Sequence, residues 1–181
     1  MDIKSNCFIL TGTSGTGKTT LLQHLSSLGF RTKNEATRKI LTSQLAIDGL
    51  GLPSKDPLLF CQMMLKECIK GFKESEKVGT PVFFDRGIPD IVAYAIRFGV
   101  DPTSFQQAAV KYPFNAKVFL LPRWKEVFVN DDLRGKSFEE YAEFHSMLVT
   151  AYEDLGFNLI EVPPNSAESR ADFVLARLKE C

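Results

Sequence analysis

The apolar positions of this chain fall into short unbroken runs that alternate with longer stretches at helical spacing. "CFIL" (7–10) is a continuous apolar run that stops at Gly12, the pattern of a strand buried on both faces. Beyond Gly17 the period changes: Leu21, Leu22, Leu25 and Leu28 recur on one face of a helix closed by Gly29. "FRTKNEA" (30–36) is a shorter, more polar strand candidate, followed by a helix through Arg38, Leu41 and Leu45. "DGLGLPSKDP" (48–57) has the composition of a loop, after which Leu58, Cys61, Leu65, Cys68 and Phe72 mark one face of a long helix.

The second half repeats the alternation. "PVFFD" (81–85) is a buried strand ending on an acid, and Ile88 to Phe98 is a short helix stopped by Gly99. "KVFLL" (117–121) is a third buried strand, stopped by Pro122. Residues 122–136 are charged and aperiodic. Ser137 and Glu140 form an S-x-x-E capping box, and the helix behind it carries Tyr141, His145, Leu148, Tyr152 and Leu155 on one side. Gly156 closes that helix, "NLIEVP" (158–163) is a last strand, and Ala167 to Leu178 a last helix. Strands that alternate with helices throughout predict an α/β protein of three layers, a parallel five-stranded sheet with helices on both faces. No linker, repeat or low-complexity segment interrupts the 181 residues, so the expected organisation is a single domain over 1–181.

Composition narrows the function. Lys plus Arg (22) balance Asp plus Glu (22), which argues against a general nucleic-acid or membrane-surface binder; a local basic groove stays open. No apolar run approaches membrane length, and the one near the N-terminus is too short for a signal peptide. Among the cysteines at 7, 61, 68 and 181 there is no C-x-x-C pair, and Cys61 and Cys68 lie ~10 Å apart along a helix, too far for a disulfide. A reduced, cytoplasmic protein is the simplest reading. His24 and His145 have no metal-ligand company and read as structural or surface residues, and the many phenylalanines read as core.

The chemistry concentrates at "GTSGTGKT". Gly12, Thr13, Ser14, Gly15, Thr16, Gly17, Lys18 and Thr19 fit G-x-x-x-x-G-K-S/T, between a strand and a leucine-faced helix. Glycines let the backbone wrap phosphate oxygens with amide hydrogens turned inward, and the following helix presents its positive end to the anion. Lys18 would neutralise the outer phosphates, Thr19 would place its hydroxyl on Mg²⁺, and Thr20 would bond an inner phosphate. In "VFFDRGIPD" (82–90), an apolar strand delivers Asp85 to a position suited to Mg²⁺, directly or through water. The next residue is Arg86, a poor base for water and a good clamp for a phosphate or substrate hydroxyl, which tilts the reading from hydrolysis toward phosphoryl transfer. The competing reading of Asp85 is a helix cap. No N/T-K-x-D motif is present, which excludes a guanine-nucleotide switch, and the chain has no length for the extra helical domain of ring-forming motors.

"TGTSGTGKTTLLQHL", "NEATRKIL", "FFDRGIPDIVAYA", "WKEVFVNDDLR" and "LGFNLIEVPPNSAESRADFVL" together resemble the small AAA-like predicted ATPases, with nicotinamide riboside kinase and the deoxynucleoside kinases as more distant likenesses. The resemblance implies a P-loop NTPase fold of the kinase type, sheet order 2-3-1-4-5. It implies that Glu35 sits by an acceptor hydroxyl, where it competes with Asp85 as base and with an ordinary Glu35–Arg38 surface pair as explanation. It implies a lid at 122–136, with Arg123 and Arg134 closing on the transferring phosphates and Asp131 and Asp132 orienting them or meeting substrate. Arg38, Arg86, Asp90 and Asp132 complete the substrate candidates, and Pro164 or Asn165 would border the base. Trp124 reads as packing under the lid. The expectation is an ATP- and Mg²⁺-dependent phosphotransferase with a small hydroxylated acceptor, a nucleoside among the candidates. A nucleotide-dependent regulatory ATPase is the alternative, and a nucleic-acid-end kinase a weaker third. The oligomeric state is left open.

Overall fold

The computed structural model describes residues 5–123 and 140–178. Five strands, β1 (Cys7–Thr11), β2 (Arg31–Lys33), β3 (Val82–Asp85), β4 (Lys117–Leu120) and β5 (Asn158–Glu161), form one sheet in the order β2-β3-β1-β4-β5. Every pairing is parallel. Among the described residues seven helices accompany them: α1 (Lys18–Ser27), α2 (Ala36–Ala46), α3 (Pro57–Ser75), α4 (Ile88–Arg97), α5 (Thr103–Lys111), α6 (Glu140–Asp154) and α7 (Ala167–Leu178). The expected α/β architecture and strand order are those observed.

The two-residue period of a strand sorts the core into two faces. Phe8, Leu10, Phe83 and Phe119 point to the side covered by α1 and α7, where they meet Leu21, Leu25, Ala171 and Val174. Cys7, Ile9, Val82, Phe84 and Val118 point to the other side and meet Phe72 of α3, Ile88 of α4 and Tyr152 of α6. A third cluster joins α2, α3, α4 and α6 through Ile40, Phe60, Met64, Ile91 and Leu148.

Helix edges depart from the periodic pattern in instructive ways. Leu28, expected on the buried stripe of α1, lies just past the helix and is 50% exposed, because Gly29 already turns the chain away. Leu58, assigned to the buried face of α3, is exposed in the first turn, where Asp56 caps the helix by accepting from the Leu59 amide at 2.8 Å. Leu45 is exposed as well. The helix α5 is absent from the pattern-based reading; "TSFQQAAVK" buries only Phe105 and Ala109, too few positions to set up a period.

Candidate active site

Parallel strands all end at the same edge of the sheet, so the residues that follow β1 and β3 converge. In the register of these two strands Leu10 stands opposite Asp85. The phosphate-loop sequence therefore begins beside the acid.

The loop is held tightly from behind. Gly12 adopts φ 135° and Gly17 φ 81°, conformations that favour glycine. A Cβ at Gly12 would stand 2.4 Å from the Leu121 carbonyl oxygen, and one at Gly17 2.7 Å from Nη1 of Arg170. Thr16 Oγ1 donates to the Thr13 carbonyl at 3.0 Å, fixing the loop's curvature. Lys18 Nζ arches over the loop and donates to the carbonyls of Gly12 (2.8 Å) and Thr13 (2.7 Å). Burial, with the Arg86 charge second, holds its ammonium pKa down to about 8. Ser14 and Gly15 sit half-buried at the crest, and Thr19 and Thr20 are exposed on the first turn of α1.

Asp85 is buried, and its Oδ1 accepts no hydrogen bond from the described residues. Burial raises its pKa to about 6, opposed by the Lys18 charge. It does not cap α4; the cap position is Gly87, whose amide donates to Oδ2 of Asp90, three residues into the turn, at 2.8 Å. A buried carboxylate with an open oxygen at the strand end, together with a hydroxyl on the first turn of the loop helix, is a donor set that suits hydrated Mg²⁺. Asp85 and Thr19 fit that role.

The Asp-Arg-Gly turn then folds a guanidinium inward. Arg86 has φ 73°, a left-handed backbone at a residue with a side chain, and its amide donates to the Leu10 carbonyl at 3.0 Å. Its Nε donates to Glu35 Oε1 at 2.8 Å and its Nη1 to Asp90 Oδ1 at 3.1 Å. Arg86 thus ties the start of α2 to the start of α4. Asp90 is 1% exposed and also accepts from Thr11 Oγ1 at 2.7 Å and from the hydroxyl of Tyr152. Burial, and then the Asp90 charge, push the Tyr152 phenol well above its ordinary pKa, so it remains a donor. The four described groups bonded to Asp90 make it the anchor of the turn.

Beside this turn lies a cavity of about 380 Å³, within the range of small-molecule sites. Glu35, Asp85 and Arg86 are among its lining residues, with Met64, Phe84 and Tyr94 as apolar wall. Its rim carries two ion pairs, Lys33–Glu74 at 2.6 Å and Lys39–Glu67 at 2.8 Å. Of the sequence candidates, Glu35, Asp85, Arg86 and Asp90 come together here, whereas Arg38 is exposed and is not among the lining residues. Arg123 is half-buried just past β4, and its charge, after burial, lowers the pKa of His145 on α6. Trp124, Asp131, Asp132, Arg134 and the Ser137–Glu140 box lie outside the residues whose side chains are described. Pro164 and Asn165 are exposed in the loop after β5. Two residues that sequence reasoning passed over take part: Tyr152, read there as one member of an apolar face, and Arg170, in the first turn of α7, whose Nη2 donates to the Thr16 carbonyl at 3.1 Å. Nothing local in either segment signals these contacts, which join residues 62 and 154 positions apart.

A glycine-lined anion loop on a 2-3-1-4-5 parallel sheet, followed across the sheet by an Asp-Arg turn and a small-molecule cavity, defines a P-loop kinase or ATPase. The chain belongs to the AAA domain family, whose model matches residues 7–170. Among solved structures, a thymidylate kinase from Ehrlichia chaffeensis superimposes with a TM-score of 0.63 at 18% identity, over 96% of this chain and 98% of that one. The YorR protein of Bacillus subtilis, in complex with phosphorylated GDP, gives 0.61 at 15% identity over 96% and 95%. Deoxyadenosine kinase from M. mycoides, with dCMP and a flexible dCDP bound, gives 0.55 at 20% identity over 97% and 100%. No curated protein matches the sequence. Among the described residues no helix is long and apolar enough to cross a membrane.

Proposed function

We propose that this chain is an ATP- and Mg²⁺-dependent phosphotransferase whose acceptor is a small hydroxylated molecule, a nucleoside among the candidates. The observation that carries the reading is the cavity of about 380 Å³ lined by Glu35, Asp85 and Arg86, whose charges also act on Lys18 of the phosphate loop. An ATPase that activates only water has no need of a chamber of that size, and an arginine in place of a general base after the strand acid suits a bound acceptor better than a free water.

The roles follow from placement. Loop amides from Gly12 to Thr20 would cradle the phosphates, and Lys18, which now bonds the Gly12 and Thr13 carbonyls, would turn to them. Thr19 and Asp85 would hold Mg²⁺, which when bound with ATP supplies charge neutralisation and the transferable phosphoryl group. Glu35, fixed by Arg86, would accept a hydrogen bond from the acceptor hydroxyl and orient it, with Asp85 the competing base. Arg86, locked between Glu35 and Asp90, acts as the orienting clamp, and Asp90 serves it from beneath. Arg123 and Arg134 are assigned to the transferring phosphates, and Asp132 to orienting them or meeting substrate. Chemistry of this kind is mostly positioning and charge stabilisation, so ATP turnover alone should be slow.

The test is ATP consumption by the full chain, with Mg²⁺, against a panel of nucleosides, nucleoside monophosphates, vitamins and sugars. A rise of about a hundredfold or more with one acceptor class is expected from positioning alone. Glu35→Gln should remove most of that rise while leaving ADP affinity in place. A flat panel from a protein that still binds ATP would replace this reading with the regulatory ATPase.

A further inference from the structure

Arg170 presents a buried cation that neither the loop motif nor the cavity accounts for. It lies in the first turn of α7 and is 4% exposed. Helix α7 needs only its apolar stripe, Ala171 and Val174, to pack against Leu21 and Leu25 of α1. Burying a guanidinium beside that stripe is unfavourable, and desolvation lowers its pKa. The start of α7 is fixed where the arginine needs it: Ser169 N donates to Ser166 Oγ at 3.2 Å, and the Arg170 amide donates to the Ser166 carbonyl at 3.0 Å.

The head group meets the phosphate loop at one peptide unit. Nη2 donates to the Thr16 carbonyl at 3.1 Å, while Nη1 covers the α-carbon of Gly17 so closely that a Cβ there would stand 2.7 Å away. In a trans peptide the C=O and the following N–H point in opposite directions. A Thr16 carbonyl drawn toward α7 therefore turns the Gly17 N–H away from α7, to the concave side of the loop. A cationic donor on the carbonyl also polarises the unit and makes that N–H a stronger donor.

We propose that Arg170 is a positioning residue for the nucleotide: by holding the Thr16 carbonyl it fixes the Thr16–Gly17 peptide with its N–H facing the phosphates, and so sets nucleotide affinity from behind the loop. The guanidinium itself touches no phosphate. Gly17, the third glycine of the loop, is required here for the same reason, because a Cβ on it would stand 2.7 Å from Nη1.

The experiment is calorimetric titration of the full chain with ADP and Mg²⁺, together with the ¹H–¹⁵N resonance of the Gly17 amide. Arg170→Met keeps the apolar stem and removes the donors. It should weaken ADP binding by about tenfold or more, the worth of one charge-assisted hydrogen bond. It should also abolish the ADP-induced downfield shift of the Gly17 amide. Arg170→Lys, which retains a cationic donor, should recover part of the affinity and the shift. Arg170→Gln carries the test if the methionine variant does not fold. A folded Met or Gln variant with unchanged ADP affinity and an intact Gly17 shift overturns the proposal. So does a lysine variant no better than methionine, which would mark the residue as packing. Failure of the unaltered chain to bind ADP would instead remove the premise that the loop holds a nucleotide, and the proposal with it.

Discussion

Tyr152 on α6 donates its hydroxyl hydrogen to Asp90 on α4, across 62 positions of sequence. Asp90 also takes Thr11 from the end of β1, the Gly87 amide and the Arg86 guanidinium. One carboxylate therefore fixes the strand that leads into the phosphate loop, the turn that follows Asp85, and the helix that follows the 122–136 segment. Removing it leaves a buried arginine and a buried phenol short of an acceptor. Asp90→Ala should destabilise the protein by about 3–5 kcal/mol, and Tyr152→Phe, which leaves the charge pair intact, by about 1–3 kcal/mol. Urea unfolding monitored by circular dichroism measures both, and the double variant should lose less than the sum because the two share a bond.

Asp85 carries the opposite signature. Its buried Oδ1 accepts nothing from the described residues, so its charge is a cost to the fold. Asp85→Asn should stabilise the ligand-free protein by about 1–3 kcal/mol at pH 7, read as a higher melting temperature. The same variant should lose Mg²⁺-dependent turnover. A melting temperature that falls would show that the carboxylate is held by contacts in the folded state.

The pH dependence follows with its sign. The Asp85 pKa is raised from 3.8 to about 6, so its contribution to stability is present below 3.8 and lost as pH rises through about 6. Acidifying the ligand-free protein from about pH 7 to 5 should gain stability from this group, while metal-dependent turnover declines over the same interval. Lys18 is shifted down from 10.5 to about 8, so its contribution is present above 10.5 and lost as pH falls through about 8, outside that window. Melting curves of the unaltered chain and of Asp85→Asn should therefore converge toward low pH.

Gly12 tests the loop sterically. An alanine there meets the Leu121 carbonyl at 2.4 Å, a backbone atom that cannot step aside, at φ 135°. Gly12→Ala should lose about 2–3 kcal/mol of stability and measurable ADP affinity. Gly79→Ala, with nothing within 4 Å of the added carbon, should leave calorimetric ADP binding unchanged.

Much of this was legible in the chain because local signals agreed. The continuous runs at 7–10 and 82–85 marked buried parallel strands, and the glycines at 12, 15 and 17 announced an anion loop. The motif and the strand end together placed Lys18 and Asp85 on the same edge of the sheet. What escaped the reading depends on tertiary meeting points. Tyr152 stands at a helical interval among apolar residues and looks like one of them until Asp90 is brought beneath its hydroxyl. Glu35 stands three positions before Arg38, and nothing in that stretch signals the Arg86 guanidinium that a neighbouring strand carries to within 2.8 Å of its carboxylate. Helix α5 escaped because a helix that buries two residues leaves almost no period to detect.

The left-handed backbone of Arg86 has an energetic consequence. A β-carbon in that conformation costs about 1–2 kcal/mol relative to glycine, which would make the same turn without strain. What the side chain adds in return for that strain is the bridge from Glu35 to Asp90, so the turn after β3 spends backbone energy to fix a guanidinium at the cavity wall.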